Sequence, residues 1–162
     1  MPDAAAGPMP DLTIGELRED EAELAIALWH EQKLTRPWND PHADLQRALG
    51  KPHSTVLAGR LGDRLVATVM VGHDGHRGWV YYLGVAGDCQ STGHGRAMML
   101  AAERWLTARQ IPKIQLMVRT ENIGVIGFYE AIGYERNEVV VLSRRLDTLT
   151  IAGGHSPSSS TG

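Results

Sequence analysis

Gln90-Ser91-Thr92-Gly93-His94-Gly95-Arg96-Ala97 sets two glycines one residue apart, where an apolar run ends and an Ala/Met/Leu-rich run begins. A helix that starts there exposes unpaired N–H groups and the positive end of its dipole. Glycines just before it let an anion approach the backbone with no Cβ in the way. The stretch therefore reads as a phosphate-binding turn, with a plain strand-to-helix loop as the simpler alternative on spacing alone. Two common phosphate motifs do not fit. No Gly-Lys-Ser/Thr exists for a P-loop, and "GKP" at 50–52 is not one. A dinucleotide fingerprint needs a third glycine where Met98 stands.

Other residues could also do chemistry. Asn122 and Tyr129 are seven positions apart, two helical turns, and share a face. Without further information Tyr129 is a core aromatic beside Ile126 and Ile132, and Asn122 a helix cap. His73, Asp74 and His76 are close in sequence and invite a metal reading. Side chains within one tight turn point in different directions, so a solvated turn and no metal is the expectation. Trp29 and Trp105 sit in helical stripes and read as core; Trp38, between Pro37 and Asn39 in a loop, suits a pocket wall.

The elements that must position these residues follow from periodicity. A strand is expected at 12–17. A helix follows, with Ala22, Ala25, Ile26 and Trp29 on one face and Asp20/Glu23 as its capping box. A second short helix ends at Gly50. Residues 54–85 read as three antiparallel strands, turning near Gly62-Asp63 and at a two-residue Asp74-Gly75 hairpin. After the glycines comes a helix with Met98, Ala101, Ala102 and Trp105 on one face. Then follow a strand at 113–119, a helix ended by Gly133, and a last strand at 138–146. The order β-α-α-β-β-β-α-β-α-β gives an α/β fold on a mixed sheet.

Bulk properties narrow the classes. The chain has 162 residues, 43% hydrophobic and 22% charged, enough for one core, expected over 12–147 between disordered segments at 1–11 and 148–162. The net charge of −3, without a basic stripe, argues against a nucleic-acid partner. No run reaches the roughly 18 apolar residues of a membrane span, and no secretory signal is visible. Cys89 is the single cysteine, which fits a reducing, cytoplasmic setting.

The glycine stretch resembles the Q/R-x-x-G-x-G/A signature of the GNAT N-acetyltransferases. The stretch from Asn122 through "YEAIGY" (Tyr129 to Tyr134) matches the same family in order and spacing. "RPWNDP" and "GHDGHRG" further resemble its YpeA-like bacterial branch. The resemblance implies acetyl-CoA as co-substrate. Its pyrophosphate would lie on Gln90, Ser91, Thr92, Gly93, His94, Gly95, Arg96 and Ala97, through side chains and the backbone N–H groups of 89–97. Pantetheine would pair with Leu83, Gly84 and Val85, where "YYLGV" splays from "IQLMV", with an N–H near Val85 for the carbonyl oxygen. Asn122 would bind the cofactor or fix its loop. Tyr129 would be the general acid for the leaving thiolate, a phenol near pKa 10 against a thiol near 8.5. Arg36, Trp38, Asp40, Asp74, His76, Arg77 and Tyr82 would face the acceptor. Where some relatives carry a basic glutamate, this chain has Trp79 and Met117, so a water, Tyr82 or a residue of "GHDGHRG" would relay the proton. The expected reaction moves acetyl from acetyl-CoA to a primary amine of a small molecule or peptide. The alternative is a non-catalytic acyl-CoA-binding sensor on the same fold. The apolar "EVVVL" offers an edge for a homodimer.

Overall fold

A computed structural model describes residues 11–147; the expected tails, apart from Asp11, lie outside the described residues. The elements are β1 (Leu12–Glu16), α1 (Ala22–Glu31), α2 (Pro41–Ala48), β2 (Ser54–Leu61), β3 (Arg64–His73), β4 (Gly78–Val85), α3 (His94–Thr107), β5 (Ile114–Gln115) and α4 (Ile123–Ala131). Contacts divide the chain into two compact units, Met1–Asn122 and Ile123–Gly162.

The first unit holds a sheet in the order β1-β2-β3-β4-β5. Its pairs are antiparallel through β4, and β4 pairs parallel with β5, so the sheet is mixed as expected. Ala25, Ile26 and Trp29 of α1 are buried with Leu17, Leu45, Ala48, Val56 and Ala58. The stripe on α3 is rotated from the expected one: Met98, Met99, Ala102 and Leu106 are buried. Burying each such large apolar side chain stabilises by about 1.5–3 kcal/mol. Trp105 is only partly buried, with the Arg109 guanidinium 3.5 Å above its ring.

Three local expectations change. The carboxylate that caps the first helix is Glu21, accepting the Arg18 N–H at 2.9 Å, while Asp20 pairs with Arg18. Glu21 also receives a two-pronged bond from Arg60, whose Nε lies 2.8 Å from Oε2. Because it is buried, Glu21 gains more from that partner than a surface acid would. The β3–β4 turn spans residues 74–77 rather than two residues. Gly75 alone there has positive φ (86°), and the Asp74 carboxylate accepts the N–H groups of His76 (2.8 Å) and Arg77 (2.7 Å). That side chain replaces the second left-handed residue a type I′ turn needs. Strand β5 is short because only Gly78↔Ile114 and Trp79↔Gln115 pair.

In the second unit, α4 is followed by Gly133 at φ 101°, the expected helix stop. The expected last strand at 138–146 does not form: no ladder partner for it exists among the described residues, and Val139, Val140 and Leu142 are exposed. An apolar run becomes a strand only when its backbone finds a partner edge.

Candidate active site

Strand β4 runs into a short 3-10 turn, Gly87–Cys89, and then the glycine stretch. Below it, Arg64 grips Asp88 through both carboxylate oxygens at 2.8 Å. Ser91 (φ 63°) and Gly93 (φ 83°) both adopt left-handed conformations, which curl successive N–H groups toward one side. The first helical bond of α3 is Ala97 N–H to Gly93 O, at 3.0 Å. The backbone N–H groups of 90–96 meet no acceptor among the described residues. No acidic residue occupies the first turn of α3, and a Cβ added at Gly93 would meet nothing within 4 Å. The geometry fits a pyrophosphate: bare donors, an open approach and a helix dipole of the right sign.

The roles within this turn are uneven. Cys89 N–H is engaged by Ala86 O at 2.8 Å, and Ala97 N–H by Gly93, so both ends of the expected 89–97 row are taken. The Gln90 amide donates to Gln32 Oε1 (2.6 Å) and Val85 O (3.0 Å), tying the turn to β4 and to the end of α1. Thr92 Oγ1 donates to Cys89 O at 2.6 Å. What remains for an anion is mostly backbone.

Strand β4 supplies the next part. Past Trp79 its outer edge has no ladder partner among the described residues, so residues 80–85 are open on that side. Ala86 N–H bonds Val66 O on β3, at 2.8 Å. Backbone groups alternate sides along a strand, so the Val85 N–H faces the open edge. Thr68 pairs with Gly84 and Met70 with Tyr81, so Tyr82 and Leu83 together oppose Val69 in a bulge. Tyr82 sits at φ 52°, a conformation costing an L-residue about 1–2 kcal/mol. Three contacts hold it there. Thr68 Oγ1, which accepts from Trp29 Nε1 at 2.9 Å, donates to Tyr82 O at 2.9 Å. The Trp29 and Tyr82 rings stack at 3.9 Å. The Tyr82 hydroxyl donates to Asp44 Oδ2 at 2.7 Å.

Beside this bulge lies a cavity of about 510 Å³. Leu34, Ala48 and Met70 give it an apolar wall, with Tyr81 and Tyr82 on the strand side. Asn39, Asp44, Arg47 and Ser54 supply its polar atoms. Burial and the Asp44 carboxylate push the Tyr82 phenol well above its usual range. It stays protonated, and is a poor base.

Of the residues expected to face an acceptor, only Tyr82 lines this cavity. Arg36 folds onto its own loop, donating to Lys33 O and Thr35 O at 3.0 Å. Trp38 is exposed. Asp40 caps α2, accepting from the N–H groups of His42 and Ala43. Asp74 closes its turn, and Arg77 donates to His76 O within it. Asn39, Asp44 and Arg47 were missed. An i,i+3 Asp/Arg pair on a short helix looks like any solvated face, and only the fold turns it toward Tyr82.

In the second unit Tyr129 is buried on α4, edge-on to Phe128 and Tyr134 at 5.0 and 5.6 Å. Burial pushes its phenol up to about 12, so it keeps its proton at neutral pH. Asn122 is exposed, its N–H bonded to Arg119 O at 2.9 Å.

Known proteins are similar to this chain in sequence and in fold. An acetyltransferase of Pectobacterium atrosepticum is 43% identical over 129 residues, covering 80% of this chain and 92% of its own. An uncharacterized N-acetyltransferase of Yersinia pestis is 41% identical over the same span and coverage. Among solved structures, the aminoglycoside acetyltransferase AAC(6′)-Iy bound to a CoA bisubstrate analog superposes with a TM-score of 0.71 at 16% identity, covering 83% of this chain and 98% of that one. A ribosomal-protein-alanine N-acetyltransferase of Brucella melitensis biovar Abortus does so with 0.67 at 19%, covering 83% and 100%. At those identities they show the fold. The sequence itself matches the acetyltransferase (GNAT) family over residues 21–134, and with relatives above 40% identical across most of its length, the chain belongs to that family and takes acetyl-CoA as its acetyl donor.

Proposed function

We propose that the protein acetylates the amine of a small molecule or peptide by direct attack of that amine on the thioester. The observation that carries this reading is the run of unengaged N–H groups at 90–96, continuous with the open β4 edge. Acetyl-CoA supplies an activated acetyl group when bound. Ser91, Thr92, Gly93, His94, Gly95 and Arg96 would hold its pyrophosphate through their N–H groups. Leu83, Gly84 and Val85 would hold its pantetheine, the Val85 N–H also serving the acetyl oxygen. Gln90 acts from behind by fixing the turn and occupying the Val85 carbonyl. Asn122 precedes α4 and would steady the loop before it.

The reaction forms one N–C bond and breaks one C–S bond. The amine loses a proton and the sulfur gains one. Tyr129, protonated at neutral pH, is the proposed donor to sulfur, on the strength of its motif. On the acceptor side Asp44 is the group able to take the amine's proton, and Tyr82 orients it. To test the reading, acetyl-CoA is incubated with an amine library and free thiol is followed. Release that depends on the amine is expected. Acetyl-CoA binding with no thiol release from any amine would leave a sensor in place of an enzyme. Pairing of two chains through 138–142 is part of the same proposal, read by sedimentation.

A further inference from the structure

We propose that the cavity beside Tyr82 takes an acceptor that carries a carboxylate next to its amine, a free α-amino acid with an apolar side chain, and that Asp44 and Arg47 read its two charges. This rests on the acetyl-transfer reading above.

The two charged side chains of the cavity are in contact. Arg47 Nη2 lies 2.6 Å from Asp44 Oδ1. They are held very differently. The Asp44 side chain is 21% exposed and fixed by the Tyr82 hydroxyl at 2.7 Å, whereas the Arg47 side chain is 71% exposed. Asp44 is a built-in anion, and Arg47 a wet cation that can swing. Arg47 is the one Lys or Arg on the cavity wall and Asp44 the one Asp or Glu, so their formal charges, +1 and −1, cancel.

That balance selects among amines. A polycation would bring several ammonium groups to one carboxylate that already has a partner, and each unpaired charge that loses water is costly. A simple monoamine would match Asp44 but displace Arg47 from its ion-pair partner. A zwitterion exchanges the pair: ammonium to Asp44, carboxylate to the planar, two-pronged Arg47. Because the two groups touch, the acceptor's charges must be close, as they are when one carbon separates them. Leu34, Ala48 and Met70 then offer an apolar side chain its surface. In the transfer, the ammonium gives one proton to Asp44 and the amine attacks the acetyl carbon. The C–S bond breaks, the attacking nitrogen gives its second proton to water, and the sulfur takes one proton from the general acid and leaves as thiol, giving an N-acetyl amino acid.

The test is equilibrium binding by calorimetry to protein saturated with CoA, where no turnover occurs, with L-leucine, L-leucinamide and spermidine as probes. Leucine should bind about tenfold more tightly than leucinamide, the scale of one lost charged hydrogen bond. Spermidine should bind more weakly still. Arg47→Gln should erase the leucine–leucinamide difference while CoA affinity stays, and Arg47→Lys should restore part of it. Leucinamide or spermidine binding as tightly as leucine, no leucine binding, or an unchanged ratio in Arg47→Gln would each overturn the proposal. Thiol release driven by some other amine would then leave acetyl transfer standing alone. CoA failing to bind would overturn both.

Discussion

The glycine turn and the cavity beside Tyr82 flank the same strand, yet they are made of opposite materials. The turn at 90–96 offers backbone N–H groups that any sequence with the right φ angles would present. The cavity offers side chains: Asp44 from α2 meets Tyr82 from β4 across 38 residues of sequence. One region is defined by conformation, the other by identity. A donor common to a whole family suits the first, and an acceptor that must be told from its analogues suits the second.

Substitutions can separate the two. The largest effect is expected outside both. Tyr129→Phe keeps the ring and removes the proton, so kcat should fall by roughly 10²–10⁴ with acetyl-CoA affinity nearly unchanged. A kcat within about twofold of wild type, with chemistry limiting, would make Tyr129 a packing residue only.

Next comes a control distant in chemistry from either region. The Arg60 hydrogen bond first, and then Arg18, hold Glu21 near pKa 2 against an ordinary 4.5. A carboxylate held low stabilises the fold fully above its unfolded value and loses that contribution as pH falls toward its folded one. Stability should therefore drop by on the order of 3 kcal/mol between about pH 4.5 and 2. Urea melts of wild type against Glu21→Gln check it: the variant should start lower and lose less across that window.

Thr68→Val should cost about 1–3 kcal/mol, because Trp29 Nε1 loses its acceptor in a buried site. It should also release Tyr82 and raise the acceptor KM while sparing acetyl-CoA. If acetyl-CoA affinity falls instead, turn and cavity are not separable. Gly95→Val, on the other side of the comparison, should weaken acetyl-CoA binding several-fold by crowding the anion's approach and leave the acceptor preference intact. Calorimetry reads both terms.

The same contrast explains what could be read from sequence. Gly93 was legible because a left-handed residue before a helix is a local, chemically restricted demand. The α1 stripe was legible because Ala25, Ile26 and Trp29 repeat with the helix. Asp44 was not, because nothing in "PHADLQRA" says which partner its carboxylate will meet. The family resemblance turned Arg36, Trp38 and Asp40 toward the acceptor; in the structure two of them have local partners, Arg36 binding loop carbonyls and Asp40 starting α2. Asp74 likewise has a local partner, its carboxylate making the turn by a bond that sequence alone leaves optional. The last strand failed for another reason: pairing needs a second edge, which composition does not supply.

The open edge of β4 has a consequence for how the protein ages. Unpaired strand edges are templates for other chains, and the outer edge of 80–85 sits next to an apolar core. With pantetheine lying along it, as proposed, that edge is capped. Acetyl-CoA then acts as a removable guard against self-association, and at a hundred times its Kd it adds about 2.7 kcal/mol to the folded state. Deuterium uptake at Leu83 and Val85 should slow when it binds, and turbidity on warming should rise when it is stripped away.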